Sequence, residues 1–399
     1  MSDDVWILGI TMTKFGKHKD RDLVDLGAEA TMGALADAGV TMADIGILAA
    51  GNLMQAASGI GQQIQKQVGQ TGIPVYNVSN ACATGATALR TAIMAIKAGE
   101  TDMGLAVGVE KLSGAGLLSG GSKKASDTWE PDGRFGAVTG LDGRVGTESM
   151  PGVFAQVGME YGHKYGGTSF ELFARISEKN HSHSTLNPLA AYNKAMSLEQ
   201  IMGDMMIAYP NTRPMCSANC DGAAAAVVVS DAKLKTLSLE QQRRAVKISA
   251  SVLTSDPYVD GCQVLPDVNT LTRAAATQAY EQAGVGPEDL DLVELHDCFA
   301  TAELVHYDNL KLCEEGGAVD FFESGAPWRD GAMPVNVSGG LQSKGHPIAA
   351  TGIANIFEVA HHLRGEAGDR QIEGAKVGLA HVIGLGSACG VHILEKSAA

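Results

Sequence analysis

Paired cysteines, long apolar runs and basic charge are all scarce in this sequence of 399 residues. The seven cysteines are odd in number and widely spaced, which fits neither a disulfide framework nor a CxxC zinc module. No apolar run reaches the roughly 18 residues of a membrane span, and residues 1–4 are acidic where a secretory signal is positively charged. We therefore expect a cytoplasmic protein with no membrane span and with unpaired thiols.

Acidic residues outnumber basic ones by 45 to 30, giving a formal net charge of -15. A surface of this sign disfavours a polyanion, so nucleic acid is not an expected partner. The sequence also has no P-loop, HExxH or GxSxG motif, and the enzyme classes that depend on those motifs have no support.

The sequence does contain two pairs of similar segments. Residues 34–52 and 279–297 each indicate a helix ended by glycine, then a short turn, then an apolar strand. Residues 83–85 and 350–352 share the letters ATG, and each opens an amphipathic helix that is followed by another strand. Chance can produce one such match, but two in the same order favour duplication. We predict an α/β protein built from two similar β-α-β halves.

The predicted domain organisation places an insertion inside the first half. Residues 1–113 form the first part of that half, and residues 114–214, rich in Gly, Ser and Met, form an inserted loop domain. Residues 215–244 complete the first half, and residues 245–399 form the second. The apolar run 223–229 is typical of a strand that is covered on both faces.

Cys82 precedes a stretch whose apolar residues recur at helical spacing, which predicts that it lies in the first turn of a buried helix. Unpaired N–H groups and the helix dipole favour an anion there and lower the pKa of a thiol. Cys82 is therefore a candidate nucleophile. A buried structural cysteine is the alternative that this segment leaves open.

His296 and Cys298 follow a predicted strand that ends at residue 295, in the sequence HDCF. Ligands usually bind at the carboxyl ends of strands in α/β sheets. His296 is a candidate to orient a donor and Cys298 to exchange a proton. A zinc pair or a buried structural histidine fits the same residues equally well.

His346 lies at the entry of a later predicted helix, because Pro347 suits the first helical turn. If this helix and the one after Cys82 are related by a pseudo-twofold axis, the thiol and the imidazole meet in one cleft and form an activated nucleophile. The alternative is an exposed histidine in a turn. Near the end of the chain, GLG at 384–386 has no helix after it, which favours close backbone approach to a substrate oxygen over dinucleotide binding.

Together these segments resemble the thiolase family over essentially the whole chain. The resemblance is carried by NACATG around Cys82, HDCF at 296–299, GHP at 345–347 and GLG at 384–386. HDCF is similar to the sterol-carrier-protein type of thiolase, in which Gly-x-Gly replaces the usual late Cys-x-Gly. The resemblance implies the thiolase fold, with the two halves in five α-β-α-β-α layers.

The resemblance also implies roles for individual residues. Cys82 would become acylated, His346 would activate it, and His296 would help to form an oxyanion site with His346. Cys298 would act as general acid and base, although a rival alignment assigns that role to Cys389. The backbone N–H groups of Cys82 and Gly386 would form a second oxyanion site. Two thiols and two imidazoles suffice for this chemistry, so we predict no metal and no permanently bound cofactor.

The implied activity is an acyltransferase of lipid and fatty acid metabolism that makes or breaks a carbon-carbon bond between acyl-CoA units. It would cleave 3-ketoacyl-CoA or form acetoacetyl-CoA, with coenzyme A as substrate or product. The alternatives are a thiolase-fold aldolase acting on side-chain acyl-CoA and a non-catalytic scaffold subunit that binds acyl-CoA. The family further implies a homodimer or homotetramer.

Two sets of residues in or near the insertion are candidates for substrate contacts. Met205 and Met206 fit either an acyl pocket or ordinary core packing. The candidate partners of the coenzyme A phosphates are the basic residues Lys123, Lys124, Arg134, Arg144, Lys164 and Arg213.

Overall fold

The computed structural model describes residues 4–113, 150–255, 268–385 and 388–397. The helices are α1 (Leu23–Ala38), α2 (Ile60–Val68), α3 (Thr84–Lys97), α4 (Met150–Tyr165), α5 (Phe170–Ser184), α6 (Leu198–Met202), α7 (Asp231–Leu234), α8 (Leu239–Arg244), α9 (Val268–Ala283), α10 (Ala300–Asn309), α11 (Ala318–Glu323), α12 (Gly340–Ser343) and α13 (Thr351–Arg364). The strands are β1 (Val5–Met12), β2 (Ile47–Gly51), β3 (Val75–Val78), β4 (Met103–Glu110), β5 (Met206–Ala208), β6 (Asn211–Thr212), β7 (Gly222–Ser230), β8 (Val246–Thr254), β9 (Leu292–Glu294), β10 (Val377–Gly384) and β11 (Ala388–Lys396). Within these ranges, every helix is too short or too polar to cross a lipid bilayer.

The first pair of similar segments forms the same elements in both halves. Helix α1 begins with a reciprocal cap, in which Asp25 N donates to Asp22 Oδ1 at 2.8 Å and Asp22 N donates to Asp25 Oδ2 at 3.1 Å. It ends at Gly39, whose φ of 67° suits a residue without a side chain. A 3-10 turn and β2 follow. Helix α9, Gly284 with a φ of 72°, a 3-10 turn and β9 repeat this order.

The strands of the two halves meet edge to edge at β1 and β8. The nine-stranded sheet has the order β3-β2-β4-β7-β1-β8-β11-β10-β9. The join consists of two residue pairs, Trp6 with Lys247 and Ile7 with Val246. Outward from it, β1, β7, β4 and β2 correspond to β8, β11, β10 and β9. In each half the pairs β2–β4 and β9–β10 are parallel, whereas β4–β7 and β10–β11 are antiparallel. The predicted pair of similar halves is confirmed.

Helices α3 and α13, which follow the two ATG segments, form the central layer. They contact each other, and each contacts strands of both halves. Helices α1 and α2 cover the outer side of the first half, while α9, with α10 packed against it, covers the second. The predicted five α-β-α-β-α layers are therefore confirmed.

Two glycines allow the central helices to approach closely at their first turns. A Cβ atom added to Gly85 would lie 2.7 Å from Ala349 O, and one added to Gly352 would collide with Ala86 N. Larger residues would push the helices apart. The close approach brings together the two loops that precede the helices, one carrying Cys82 and the other His346.

The described part of the insertion packs on the second half. Helices α4 and α5 both contact α10, and α5 also contacts α12. Strand β7 is buried at every residue except Ser230, which confirms the apolar strand predicted at 223–229. The predicted domain boundaries at 113, 214 and 244 stay predictions.

Candidate active site

Cys82 lies in a tight loop between β3 and α3. Thr84 Oγ1 accepts a hydrogen bond from Asn80 N at 2.8 Å and donates to Ala81 O at 2.5 Å, and Ala81 has a φ of 46°. The end of β10 packs closely against this loop: a Cβ atom added to Gly384 would collide with Asn80 O. Cys82 is 8% exposed, so its thiol is buried but lies at the edge of the core.

His346 meets Cys82 in a defined tautomeric state. Cys82 Sγ lies 3.2 Å from His346 Nε2, and His346 Nδ1 lies 2.7 Å from Thr351 Oγ1. Thr351 donates its hydroxyl proton to Pro347 O at 3.1 Å, so its oxygen accepts the Nδ1 proton of His346. Nε2 then carries a lone pair towards the Cys82 thiol. The predicted meeting of these two residues is confirmed. The alternative of an exposed turn histidine is wrong, because His346 is 2% exposed.

His296 completes a compact group with these two residues. Its ring contacts that of His346 edge to face, with centroids 5.2 Å apart and an interplanar angle of 80°. One ligand atom from each of Cys82, His296 and His346 lies within 4.8 Å of the other two. The backbone N of His296 donates to His381 Nδ1 at 3.3 Å. The Nδ1 atom of His296 has no hydrogen-bond partner among the described residues.

Cys298 is 4% exposed, and the loop that carries it is tied to the loop of His346. Asp297, between His296 and Cys298, accepts from Leu341 N at 2.8 Å and from Asn180 Nδ2 at 2.9 Å. Burial, and then the neighbouring Cys82, raise the pKa of the Cys298 thiol well above its usual value. Among the described residues, the group whose side chains could share a metal ion consists of Cys82, His296 and His346. Cys298 is not part of it, so the structure does not support the zinc pair considered for His296 and Cys298.

The Cys82 thiol is neutral near pH 7. Burial, reinforced by the carboxyl of Glu110, raises the pKa of Cys82 to about 12, and the backbone N–H groups of Cys82 and Leu385 offset this only in part. Burial also lowers the pKa of His346 to about 3. The predicted lowering of the Cys82 pKa is wrong, because Cys82 lies two residues before α3 begins and the cost of burying a charge exceeds the helix-end effect.

Glu110, at the end of β4, is a neighbour of Cys82 that sequence reasoning missed. Its carboxylate accepts from Leu53 N at 3.0 Å, from Asn52 Nδ2 at 3.1 Å and from Met54 N at 3.4 Å. Burial raises its pKa to about 7. The available signal was a polar residue at the carboxyl end of a strand, the same signal that singled out His296.

The other predicted site residues are placed as follows. Gly386 lies outside the described residues, so its role in an oxyanion site stays a prediction. Cys389 is fully buried in β11 opposite Ile383. Met205 and Met206 are 59% and 43% exposed, so the alternative of core packing is wrong for them, and the acyl pocket stays a prediction.

Two of the basic residues proposed for coenzyme A lie on the surface in ion pairs. Lys164 Nζ lies 3.1 Å from Glu315, and Arg213 Nη2 lies 2.9 Å from Asp204. The other four lie outside the described residues: Lys123, Lys124, Arg134 and Arg144.

Comparison with known proteins gives consistent matches along the chain. The thiolase N-terminal domain family matches residues 5–128, and the thiolase C-terminal domain-like family matches residues 264–396. Sterol carrier protein 2 of Bos taurus is 38% identical, covering 96% of this chain and 70% of that protein. Acetyl-CoA acetyltransferase of Methanothermobacter thermautotrophicus is 37% identical, covering 98% and 100%. The solved Ltp2-ChsH2(DUF35) aldolase has a similar fold, with a TM-score of 0.79, 22% identity, and coverage of 99% and 98%.

Proposed function

Because this chain belongs to the thiolase family, we propose that it is an acyl-CoA acyltransferase that works through an acylated Cys82. It makes or breaks a carbon-carbon bond between acyl-CoA units, either by thiolysis of a 3-ketoacyl-CoA or by formation of acetoacetyl-CoA. The observation that carries the proposal is the 3.2 Å contact between Cys82 Sγ and His346 Nε2, in the tautomer that accepts the thiol proton.

In the first half-reaction of thiolysis, Cys82 transfers its proton to His346 Nε2 and its sulfur attacks the ketone carbon of the substrate. A carbon-sulfur bond forms and the carbon-carbon bond breaks. Cys298 donates its proton to the released carbon, which leaves as acetyl-CoA. This step ends with an acyl-Cys82, a protonated His346 and a Cys298 thiolate.

In the second half-reaction, the thiol of coenzyme A gives its proton to Cys298, and its sulfur attacks the acyl carbon. The bond between the acyl group and Cys82 breaks, and Cys82 takes back the proton that His346 holds. Each residue returns to its starting state. The same steps in reverse condense two acetyl units into acetoacetyl-CoA.

A neutral resting pair suits this sequence of steps. A thiolate-imidazolium pair without substrate would bury two charges at a cost that their attraction does not reliably offset. When the substrate binds, negative charge develops on its oxygen, and donors placed in advance stabilise it there. The buried, neutral His296 is our proposed donor, since burial and its neighbouring histidines hold its pKa well below its usual value.

The proposal is tested by product analysis with purified protein, coenzyme A and a series of 3-ketoacyl-CoA substrates. We expect two acyl-CoA products whose formation requires free coenzyme A and disappears in Cys82→Ala. An aldehyde or ketone released without coenzyme A would instead identify the aldolase alternative. Binding of acyl-CoA without turnover, unchanged in Cys82→Ala, would identify the scaffold alternative. We further propose that the protein is a homodimer or homotetramer, which sedimentation tests directly.

A further inference from the structure

The group of Cys82, His296 and His346 has the composition of a soft-metal site. Its three ligand atoms, one sulfur and two imidazole nitrogens, lie within 4.8 Å of one another and come from three separate loops. Thiolate and imidazole are the ligands that Zn²⁺ prefers in proteins. The three residues are 8%, 1% and 2% exposed, so an ion held here would be largely removed from water.

We propose that these three residues form an inhibitory site for a thiophilic divalent cation, for which Zn²⁺ is the probe. Tetrahedral zinc holds sulfur at about 2.3 Å and nitrogen at about 2.0 Å, which places ligand atoms about 3.5 Å apart. Cys82 Sγ and His346 Nε2 are already 3.2 Å apart. The other pairs in the group, which are at most 4.8 Å apart, need to close by up to about 1.3 Å.

His296 is the residue able to make that adjustment. Its Nδ1 has no hydrogen-bond partner among the described residues, so no hydrogen bond at that atom fixes the ring. His346, in contrast, is already oriented by Thr351, which holds Nδ1 and leaves Nε2 for the metal. Such support from outside the ligand shell is usual for metal-binding histidines.

Binding exchanges one proton for the metal. The Cys82 S–H bond breaks, the sulfur-zinc bond forms, and the proton passes to the buffer. The two imidazoles bind through lone pairs and release no proton. Three protein ligands leave a fourth position for water. The bound ion would occupy the sulfur lone pair needed for attack and the histidine that accepts the thiol proton. A chain that holds the ion therefore cannot carry out the proposed reaction.

The test measures metal binding directly, so it does not depend on the proposed activity. Zn²⁺ is titrated into the full chain against a chromogenic chelator, and alkylation of Cys82 by iodoacetamide is followed by peptide mass spectrometry. We expect one high-affinity ion per chain, one proton released, and protection of Cys82 that a strong chelator reverses.

Variants separate this site from other thiols. Cys82→Ser and His296→Asn are each expected to weaken binding at least about tenfold, whereas Cys313→Ala is the matched control and keeps it. Circular dichroism checks that each variant is folded. Unchanged Zn²⁺ affinity in folded Cys82→Ser or His296→Asn would overturn the inference, as would stoichiometric binding that leaves Cys82 fully reactive. If the protein has no thiolase activity, the binding result still stands or falls by itself.

Discussion

Thr351 Oγ1 lies 2.7 Å from His346 Nδ1 and thereby leaves the other ring nitrogen, Nε2, facing Cys82 Sγ. Because the threonine donates its own proton to Pro347 O, it accepts the histidine proton and leaves Nε2 free to receive one from Cys82. Thr351 thus sets the tautomer of His346 that our proposed proton transfer requires.

Replacing this hydroxyl is expected to slow acylation. Thr351→Val keeps the shape of the side chain but removes the acceptor for Nδ1–H, so we expect single-turnover acylation of Cys82 to fall by about 10²-fold. Thr351→Ser restores the oxygen and is expected to recover most of the rate. Equal rates in wild type, Val and Ser variants would show that the tautomer is set in another way.

Removing the charge of Glu110 is expected to make Cys82 easier to ionise. This carboxyl raises the pKa of the thiol, so Glu110→Gln should shift the pH profile of Cys82 alkylation towards lower pH. The variant also leaves a donor facing Leu53 N, which should reduce the free energy of unfolding by about 1–3 kcal/mol. The exposed Glu100→Gln is the matched control. A profile unchanged from wild type would contradict the electrostatic role.

Buried neutral histidines are expected to make the protein less stable in acid. Burial lowers the pKa of four histidines to about 3: His183, His306, His346 and His392. The unfolded chain binds their protons below its pKa of about 6.5, while the folded chain does not. Above that pH these histidines do not lower the free energy of unfolding. As the pH falls towards 3, the free energy of unfolding decreases by up to about 1.4 kcal/mol per pH unit for each histidine.

His306 offers the sharpest test of this pH dependence, since it is fully buried and both of its ring nitrogens lack a hydrogen-bond partner among the described residues. His306→Leu should unfold with a shallower dependence on pH between 6 and 4, with equal or greater stability at pH 7.5. Val305→Ala, at the neighbouring buried position, should lower the free energy of unfolding without changing the slope. Denaturant titrations across this pH range check both, and identical slopes for His306→Leu and wild type would refute the explanation.

Removing the Cys298 thiol is expected to impair carbon-carbon bond cleavage much more than acetyl transfer to Cys82. Cys298→Ala should still accept an acetyl group on Cys82 from a simple acetyl thioester, although at a reduced rate, because a thiolate leaves without a proton far more readily than a carbanion does. It should lose carbon-carbon bond cleavage by about 10²-fold or more. Acetyl transfer and acetoacetyl-CoA cleavage are measured in parallel on the same preparation. Equal loss of both activities would argue against this division of labour.

The repeated helix-turn-strand pattern was sufficient to predict an α/β protein of two similar halves and the meeting of Cys82 with His346, whereas the five-layered arrangement was predicted from the resemblance to thiolases. The first two predictions depend on local signals, namely glycines that end helices and a proline that opens one. The same local signals led to the wrong sign for the pKa of Cys82. A thiol pKa depends on burial and on charges from distant segments, and Glu110 lies 28 positions further along the chain.

Other parts of the site depend on contacts that sequence spacing does not encode. Glu110 is bound by the turn at 52–54, which nothing in the local sequence connects to the end of β4. Gly384 was recognised by its match to a family pattern. The reason that a glycine is needed there, its close approach to Asn80 O, emerges only when β10 is placed against the loop that carries Cys82.

The measurement that tests the account most directly is intact-protein mass spectrometry after mixing with acetoacetyl-CoA, first alone and then with coenzyme A. If Cys82 and His346 form an acyl-transfer pair, we expect an acetyl adduct that maps to Cys82, disappears when coenzyme A is added, and is absent in Cys82→Ala. An adduct on another residue, or turnover of acetoacetyl-CoA that survives in Cys82→Ala, would contradict it.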